Sequence, residues 1–123
     1  MNVNHMENFD PTRAIQTLKQ NAIDLAAKGK ELQAKRILFI QAKARLMDAE
    51  KEARDGLFKE GKEIKASLVR DWIKWCIAVE QKEHDLLQEE IRSLKEDMEI
   101  MIEVNNSLKA SHRIIELEAK NMM

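Results

Sequence analysis

Apolar residues recur every three or four positions along the first half of the chain, a spacing that places them on one face of an α-helix. Asp10 and Pro11 stand directly before this pattern. Both favour a helix start, because Asp10 can accept hydrogen bonds from free N–H groups and the ring of Pro11 suits the first helical position. We therefore predict a first helix over residues 11–53, in which Gly29 is a weak point but not an end. The apolar stripe of this helix consists of Ile15, Leu18, Ala22, Leu25, Leu32, Phe39 and Leu46.

Glycines mark the one clear break in this pattern. Gly56 and Gly61 lie within the segment RDGLFKEGK, and Asp55-Gly56 is a common turn dipeptide. We predict a turn over residues 54–61 and a second helix over residues 62–120. A helix of that length is not stable alone in water, so it needs a second helix against which to bury one face. Folded back at the turn, the two helices form a long antiparallel hairpin.

A seven-residue apolar repeat runs along the second helix and predicts a left-handed coiled coil. Asn105 occupies an inward-facing position of the repeat, where a buried Asn fixes the register and the number of helices. If this end of the helix frays, Asn105 is exposed instead. We predict that the repeat forms the seam of an oligomer, made by Leu87, Ile91, Leu94, Met98, Met101, Asn105, Leu108, His112 and Ile115.

The predicted helices differ in length, and this difference predicts self-association. Folded back from the turn, the first helix covers the second only to about residue 104, so that residues 105–120 overhang. Burying the apolar side chains of the overhang favours a homodimer or higher oligomer. The apolar face also widens around Trp72 and Trp75, which favours packing against two neighbours. A second apolar face near the C-terminus indicates a binding site or further assembly, and it comprises Ile100, Ile102, Val104, Ile114 and Leu117.

Composition supports an elongated, all-α chain. Charged residues make up 35% and hydrophobic residues 44%, which is typical of long amphipathic helices, while one proline and three glycines are too few for a strand-rich fold. We expect a flexible arm at residues 1–9 and one coiled-coil domain over residues 10–123. The chain lacks the pattern of a signal peptide and any apolar run near the ~20 residues of a membrane span. With one cysteine and seven methionines, we expect a cytoplasmic protein with no membrane contact.

Charge is divided unevenly along the chain. Residues 11–74 carry 15 basic and 9 acidic residues, whereas residues 75–123 carry 6 and 11. The predicted hairpin sets residues 28–45 beside roughly 70–87, so that the basic part meets acidic residues of the same chain. The same basic part can instead contact the phosphates of a nucleic acid. The candidate nucleic-acid contacts are Lys28, Lys30, Lys35, Arg36, Lys43 and Arg45.

Motifs for catalysis or metal binding are absent from the sequence. It contains no phosphate-binding loop, no pair of cysteines and no HExxH motif. His84 and His112 would lie about 42 Å apart along one helix, too far to share a metal ion within one chain. Cys76 has apolar neighbours and no visible base, so we expect a core residue and not a nucleophile. We expect no enzyme activity, no cofactor and no metal ion.

Two classes of function fit these features. The first is a non-enzymatic coiled-coil interaction protein, an adaptor, inhibitor or scaffold, that binds itself and another protein. The alternative is a nucleic-acid-associated accessory factor in recombination or replication, which would use the basic region 28–45. The length and helical design look like small accessory proteins of phages and mobile elements, and like coiled-coil escort proteins of secretion systems. That likeness is one of overall design, to which no motif contributes.

Overall fold

The chain folds into α-helices throughout the part that the structure describes. This computed structural model describes residues 10–58 and 65–121, which form helices α1 (Pro11–Phe58), α2 (Ala66–Cys76) and α3 (Ala78–Asn121). The described residues are 97% helical and include no strand, so the all-α prediction is confirmed. The predicted arm, residues 1–9, lies outside them. Within the described residues, no helix is both long and apolar enough to cross a membrane.

The start of α1 follows from its first residues. The Asp10 carboxylate accepts hydrogen bonds from the backbone N–H groups of Thr12 at 3.0 Å and Arg13 at 3.4 Å. The N–H of Ala14 donates to the backbone oxygen of Asp10 at 2.9 Å. These bonds satisfy N–H groups that have no partner within the helix, while Pro11 has no N–H that needs one. The predicted helix start at Asp10-Pro11 is confirmed.

The end of α1 differs from the sequence prediction. The helix continues to Phe58, so residues 54–58 of the predicted turn are helical, and the rest of that turn lies outside the described residues. Gly56 is therefore a helical residue. A glycine inside a helix costs only about 1 kcal/mol relative to alanine. Burial of Ala53 and partial burial of Leu57 on either side offset this cost.

The predicted second helix begins later than expected and is interrupted. Its first described segment, α2, begins at Ala66, and the helix is broken at Ile77, whose φ of −100° and ψ of 8° end α2. Backbone hydrogen bonds still span the break, because the Ile77 N–H donates to the Ile73 oxygen at 3.0 Å and Ile77 accepts from Gln81 at 2.8 Å. The Ile77 side chain is buried. We infer that its burial holds the backbone in this local departure from helix.

The contacts divide the chain into two compact units. The terminal unit comprises residues up to Glu31 and from Leu94 onward, and the central unit comprises Leu32–Ser93. Both bury only apolar side chains among the described residues. In the terminal unit these are Ala14 and Leu94, and in the central unit they are Leu32, Ala42, Leu46, Ala53 and Ile77.

Within each unit, contacts run in opposite directions along the paired segments. In the terminal unit, Asn21 contacts Asn105 and Lys28 contacts Asp97. The register differs from the expected pairing of residues 28–45 with roughly 70–87. Because α1 continues past residue 53, each of its residues faces a position later in the chain.

Candidate interaction surfaces

In the terminal unit, the paired faces of α1 and α3 meet through polar as well as apolar contacts. The Asn21 side-chain amide donates a hydrogen bond of 2.8 Å to the Asn105 side-chain oxygen, and both residues are half-buried. Lys28 lies 3.8 Å from the Asp97 carboxylate. A Cβ atom placed on Gly29 would stand 4.0 Å from the Met98 methyl group. The buried faces of this unit are thus already paired within the chain.

In the central unit, α1 pairs with α3 through two ion pairs and one aromatic contact. Lys35 lies 2.7 Å from Glu90, and Arg45 lies 2.5 Å from Glu83. Between them, the rings of Phe39 and His84 have centroids 4.8 Å apart. The Lys35 pair is the less exposed of the two, so salt screens it less.

His84 also contacts the carboxylate that follows it. The Nδ1 atom of His84 lies 3.0 Å from Oδ1 of Asp85, whose other partner is the Gln81 amide at 2.9 Å. The hydrogen bond with His84, followed by the one with Gln81, lowers the pKa of the exposed Asp85 carboxyl below its ordinary value. When Nδ1 carries a proton it donates a hydrogen bond to Asp85. The His84 ring then has two contacts that orient it, one with the Asp85 carboxylate and one with the Phe39 ring.

The residues predicted to form an oligomer seam lie on the inner stripe of α3, the side that faces α1 within each unit. Asn105 of this stripe contacts Asn21 of α1 in the same chain. The sequence had predicted instead that residues from 105 onward extend beyond the first helix. The contact between chains through these side chains stays a prediction. Leu94 is buried, and the others are half-buried, namely Leu87, Ile91, Met98, Met101, Asn105, Leu108, His112 and Ile115.

The basic residues proposed to contact nucleic acid do not all remain available. Lys28 pairs with Asp97, and the ion pairs of Lys35 and Arg45 hold the central unit together. The remaining candidates, Lys30, Arg36 and Lys43, are exposed and form no ion pair with the described residues. Half of the proposed basic surface therefore binds acidic side chains of the same chain.

The central unit presents an exposed apolar surface on α2 and the start of α3, here called the tryptophan face. It consists of Trp72, Trp75, Val79 and Leu86. Trp75 is 73% exposed and Val79 is 77% exposed. The indole rings of Trp72 and Trp75 lie 5.5 Å apart and are tilted by 37°. Leu86 also lines an open groove of about 770 Å³, together with Lys74 and Lys82.

The exposure of these residues differs from what their sequence pattern predicted. The width of the apolar face around Trp72 and Trp75 predicted two helical neighbours, one of them the first helix. Trp72 does line a small crevice against α1, together with Ala53 and Gly56. Trp75 is largely exposed, so an apolar surface remains on the side of α2 that bears it.

The same crevice is also lined by a carboxylate residue. Glu80 lines it beside Cys76, and its Oε2 atom is buried without a hydrogen-bond partner among the described residues. A buried carboxylate oxygen without a partner destabilises a fold. No group of three or more metal-ligating side chains exists within the described parts of the chain.

The terminal unit presents a second exposed surface on α3, here called the C-terminal stripe. Its residues follow one another at helical spacing, and its apolar members Ile100, Val104, Ile114 and Leu117 are between 44% and 59% exposed. Ser107 and Ala110 lie between them and are also exposed. The second apolar face predicted near the C-terminus thus lies in solvent.

Comparison with known proteins found no match. No protein-family model, no curated protein and no solved structure matches the chain.

Proposed function

We propose that the chain is a non-enzymatic interaction protein, an antiparallel coiled-coil hairpin that acts as an adaptor, inhibitor or scaffold by binding another protein. The supporting observation is the tryptophan face. The large apolar side chains of this face remain in solvent although the inner stripe of the same unit is paired with α1. Such a distribution is expected when the inner stripe stabilises the fold and the outer surface is kept for a partner.

The residue types of the tryptophan face support protein binding. Tryptophan is enriched among the few residues that dominate binding energy, because its ring supplies a large contact area with few rotatable bonds. Trp75 is largely exposed, with the Trp72 ring beside it and Val79 about one turn further along the chain. An amphipathic helix of a partner could place its apolar side over these residues. Lys74 and Lys82 outnumber Asp85 around the groove at Leu86, so acidic residues at the edge of that helix would be favoured.

Self-association is part of the same proposal. The inner stripe contacts α1 of the same chain, so we expect contacts between copies to use the outer surfaces as well. Nucleic-acid binding is the weaker alternative, because Lys28, Lys35 and Arg45 contact acidic side chains of the same chain. Lys30, Arg36 and Lys43 alone offer few phosphate contacts, and affinity for nucleic acid scales with the number of such contacts.

Site-specific photo-crosslinking in the cells that produce the protein tests the proposal. A photoreactive amino acid replaces Trp75 in the full chain, and a matched variant carries it at Lys51, which is exposed on α1 of the same unit. We expect the probe at position 75 to form an adduct of defined mass with one other protein, and the probe at position 51 to form none. Identical patterns from both positions, or no adduct from position 75, would contradict the proposal.

A binding measurement with the identified protein completes the test. Trp75→Ala should weaken binding at least about tenfold, because truncation of a central aromatic anchor typically costs more than 1 kcal/mol. Lys51→Ala should leave affinity unchanged, and both variants should keep the helical content of the native chain. Equal affinities of the two variants would show that the tryptophan face is not the binding surface.

A further inference from the structure

The segment α2 is held in the central unit by fewer contacts than α3 is. None of its residues is buried, and its half-buried residues Val69, Ile73 and Cys76 lie on one side of the helix. Among the described residues, α2 has no side-chain hydrogen bond or ion pair with α1. By contrast, two ion pairs and the contact of Phe39 with His84 join α3 to α1 in the same unit. Packing of one half-buried side therefore holds α2 in place.

Two open crevices lie where α2 meets α1. One, of about 280 Å³, is lined by Trp72 and Cys76 of α2 and by Ala53 and Gly56 of α1. The other, of about 340 Å³, lies between Arg54 of α1 and residues of α2. Side chains beside unfilled space lose the dispersion contacts that a close-packed interface would supply. The crevices therefore lower the free energy needed to separate α2 from α1.

The buried oxygen of Glu80 adds a cost to the packed position of α2. Glu80 lines the smaller crevice, and its Oε2 atom is buried without a hydrogen-bond partner among the described residues. A carboxylate oxygen in this position loses the hydrogen bonds that water would otherwise donate to it. Movement of α2 away from α1 would widen the crevice and return water to this oxygen. The orphaned oxygen thus favours an open arrangement of α2 over the packed one.

The helix break at Ile77 supplies a point about which α2 can move. Its φ of −100° and ψ of 8° already end α2, and its side chain is buried in the central unit. A sharp bend elsewhere would require a new interruption of the backbone hydrogen bonds. Because α2 has only 11 residues, it is not stable as a helix without a surface to pack on. Once separated from α1, α2 should therefore unfold as far as Ile77.

We propose that α2 opens as one unit about Ile77, in a local equilibrium that unfolds Ala66–Cys76 while the pairing of α1 with α3 stays intact. Local openings of this kind need less free energy than unfolding of the whole chain. The half-buried side of α2, the two crevices and the orphaned oxygen of Glu80 all favour the opening, and the break at Ile77 limits its extent.

The opening would also control the tryptophan face. This face crosses the break, since Trp72 and Trp75 belong to α2 whereas Val79 and Leu86 belong to α3. Only the packed position of α2 presents the complete face, so a partner that contacts both parts would stabilise that position. This consequence rests on the proposed function, whereas the opening itself needs no partner.

Native-state hydrogen exchange on the full chain, without a partner, tests the opening. After correction for intrinsic rates, we expect the amides of residues 70–76 to share one protection factor, at least about tenfold below that of residues 81–93. Low concentrations of denaturant should change the exchange of residues 70–76 little, because a local opening exposes little surface. Equal protection of the two segments, or protection that rises gradually along α2, would overturn the proposal.

Two stabilising substitutions separate a local opening from unfolding of the whole chain. Glu80→Leu should slow the exchange of residues 70–76 at least about fivefold, because it removes the orphaned oxygen that favours the open arrangement. Gly29→Ala, in the terminal unit, should leave that exchange unchanged. Circular dichroism checks that both variants keep their helices. No slowing in Glu80→Leu, or equal slowing in both variants, would overturn the proposal. Either result leaves crosslinking at Trp75 unaffected, so the two proposals are separable.

Discussion

The hydrogen bond between Asn21 and Asn105 gives a quantitative test of how the terminal unit is held together. Asn105→Ala would leave the Asn21 amide half-buried, without its 2.8 Å partner. Leaving a buried donor unsatisfied costs ~1–3 kcal/mol, and the partial exposure of this pair places the expected loss near the lower end, about 1 kcal/mol. The assay is chemical denaturation of the full chain, followed by helical circular dichroism.

The adjacent residue provides the control. Asn106 is exposed, so Asn106→Ala changes the intrinsic helix propensity in the same way without removing a contact between helices. Asn21→Ala and the double variant complete a cycle in which Asn21 and Asn105 should couple by ~0.5–1 kcal/mol. Asn21 and Asn106 should show no coupling. A coupling near zero for Asn21 and Asn105 would refute the inferred register of α1 against α3.

Three further predictions concern single positions. Gly29→Ala should stabilise the chain by ~0.5–1 kcal/mol in the same assay, because the added Cβ would make an ordinary contact with Met98 and restrict the unfolded chain; a loss of stability would show a tighter approach. Glu80→Leu should raise stability by about 1 kcal/mol, because it replaces a buried oxygen that lacks a partner, and a decrease would indicate that Glu80 has a stabilising role. For Asp85, NMR should show a carboxyl pKa below its ordinary value, which His84→Phe raises. Since folding lowers this pKa, the stabilisation is complete above the unfolded-state pKa and is lost as pH falls through the folded-state pKa; an unchanged Asp85 titration in His84→Phe would contradict the assignment.

Helix content and the inner stripe could be predicted because they depend on local pattern. The seven-residue repeat identifies the side of α3 that is less exposed, from Leu87 to Ile115, and Asp10-Pro11 identifies the start of α1. Both features arise from residue spacing and from the hydrogen-bonding needs of a helix end. They require no knowledge of which helix lies opposite.

Features that depend on tertiary contacts could not be predicted in the same way. Gly56 suggested a turn, yet it is helical because neighbouring burial offsets its small cost. No proline or glycine stands at or beside Ile77, so the sequence contains no residue that predicts a helix break there. Since the pairing register depends on where α1 ends, the error at Gly56 also changed the expected partners of Lys35 and Arg45. The predicted overhang of residues 105–120, and the dimer expected from it, depended on the same register.

The exposure of the two apolar surfaces could not be predicted either, because it also depends on tertiary contacts. The sequence indicated a wide apolar face at Trp72 and Trp75 and a second apolar face near Ile114. Periodicity gives the direction in which a side chain points from its helix, but it does not show whether another helix covers it. The structure leaves both faces in solvent within their units, and the proposals for partner binding and for dimerisation start from that exposure.

The central claim is that α1 pairs with α3 of its own chain, so that outer surfaces remain for partners. Pulsed electron paramagnetic resonance tests it most directly, with spin labels introduced by Lys19→Cys and Asn106→Cys in a chain carrying Cys76→Ser. Paired helices have axes ~8–10 Å apart, so the two labels should give one short distance. The account predicts that this distance persists when labelled chains are diluted with excess unlabelled protein. Loss of the short distance on dilution, or a long and broad distribution at the outset, would contradict it.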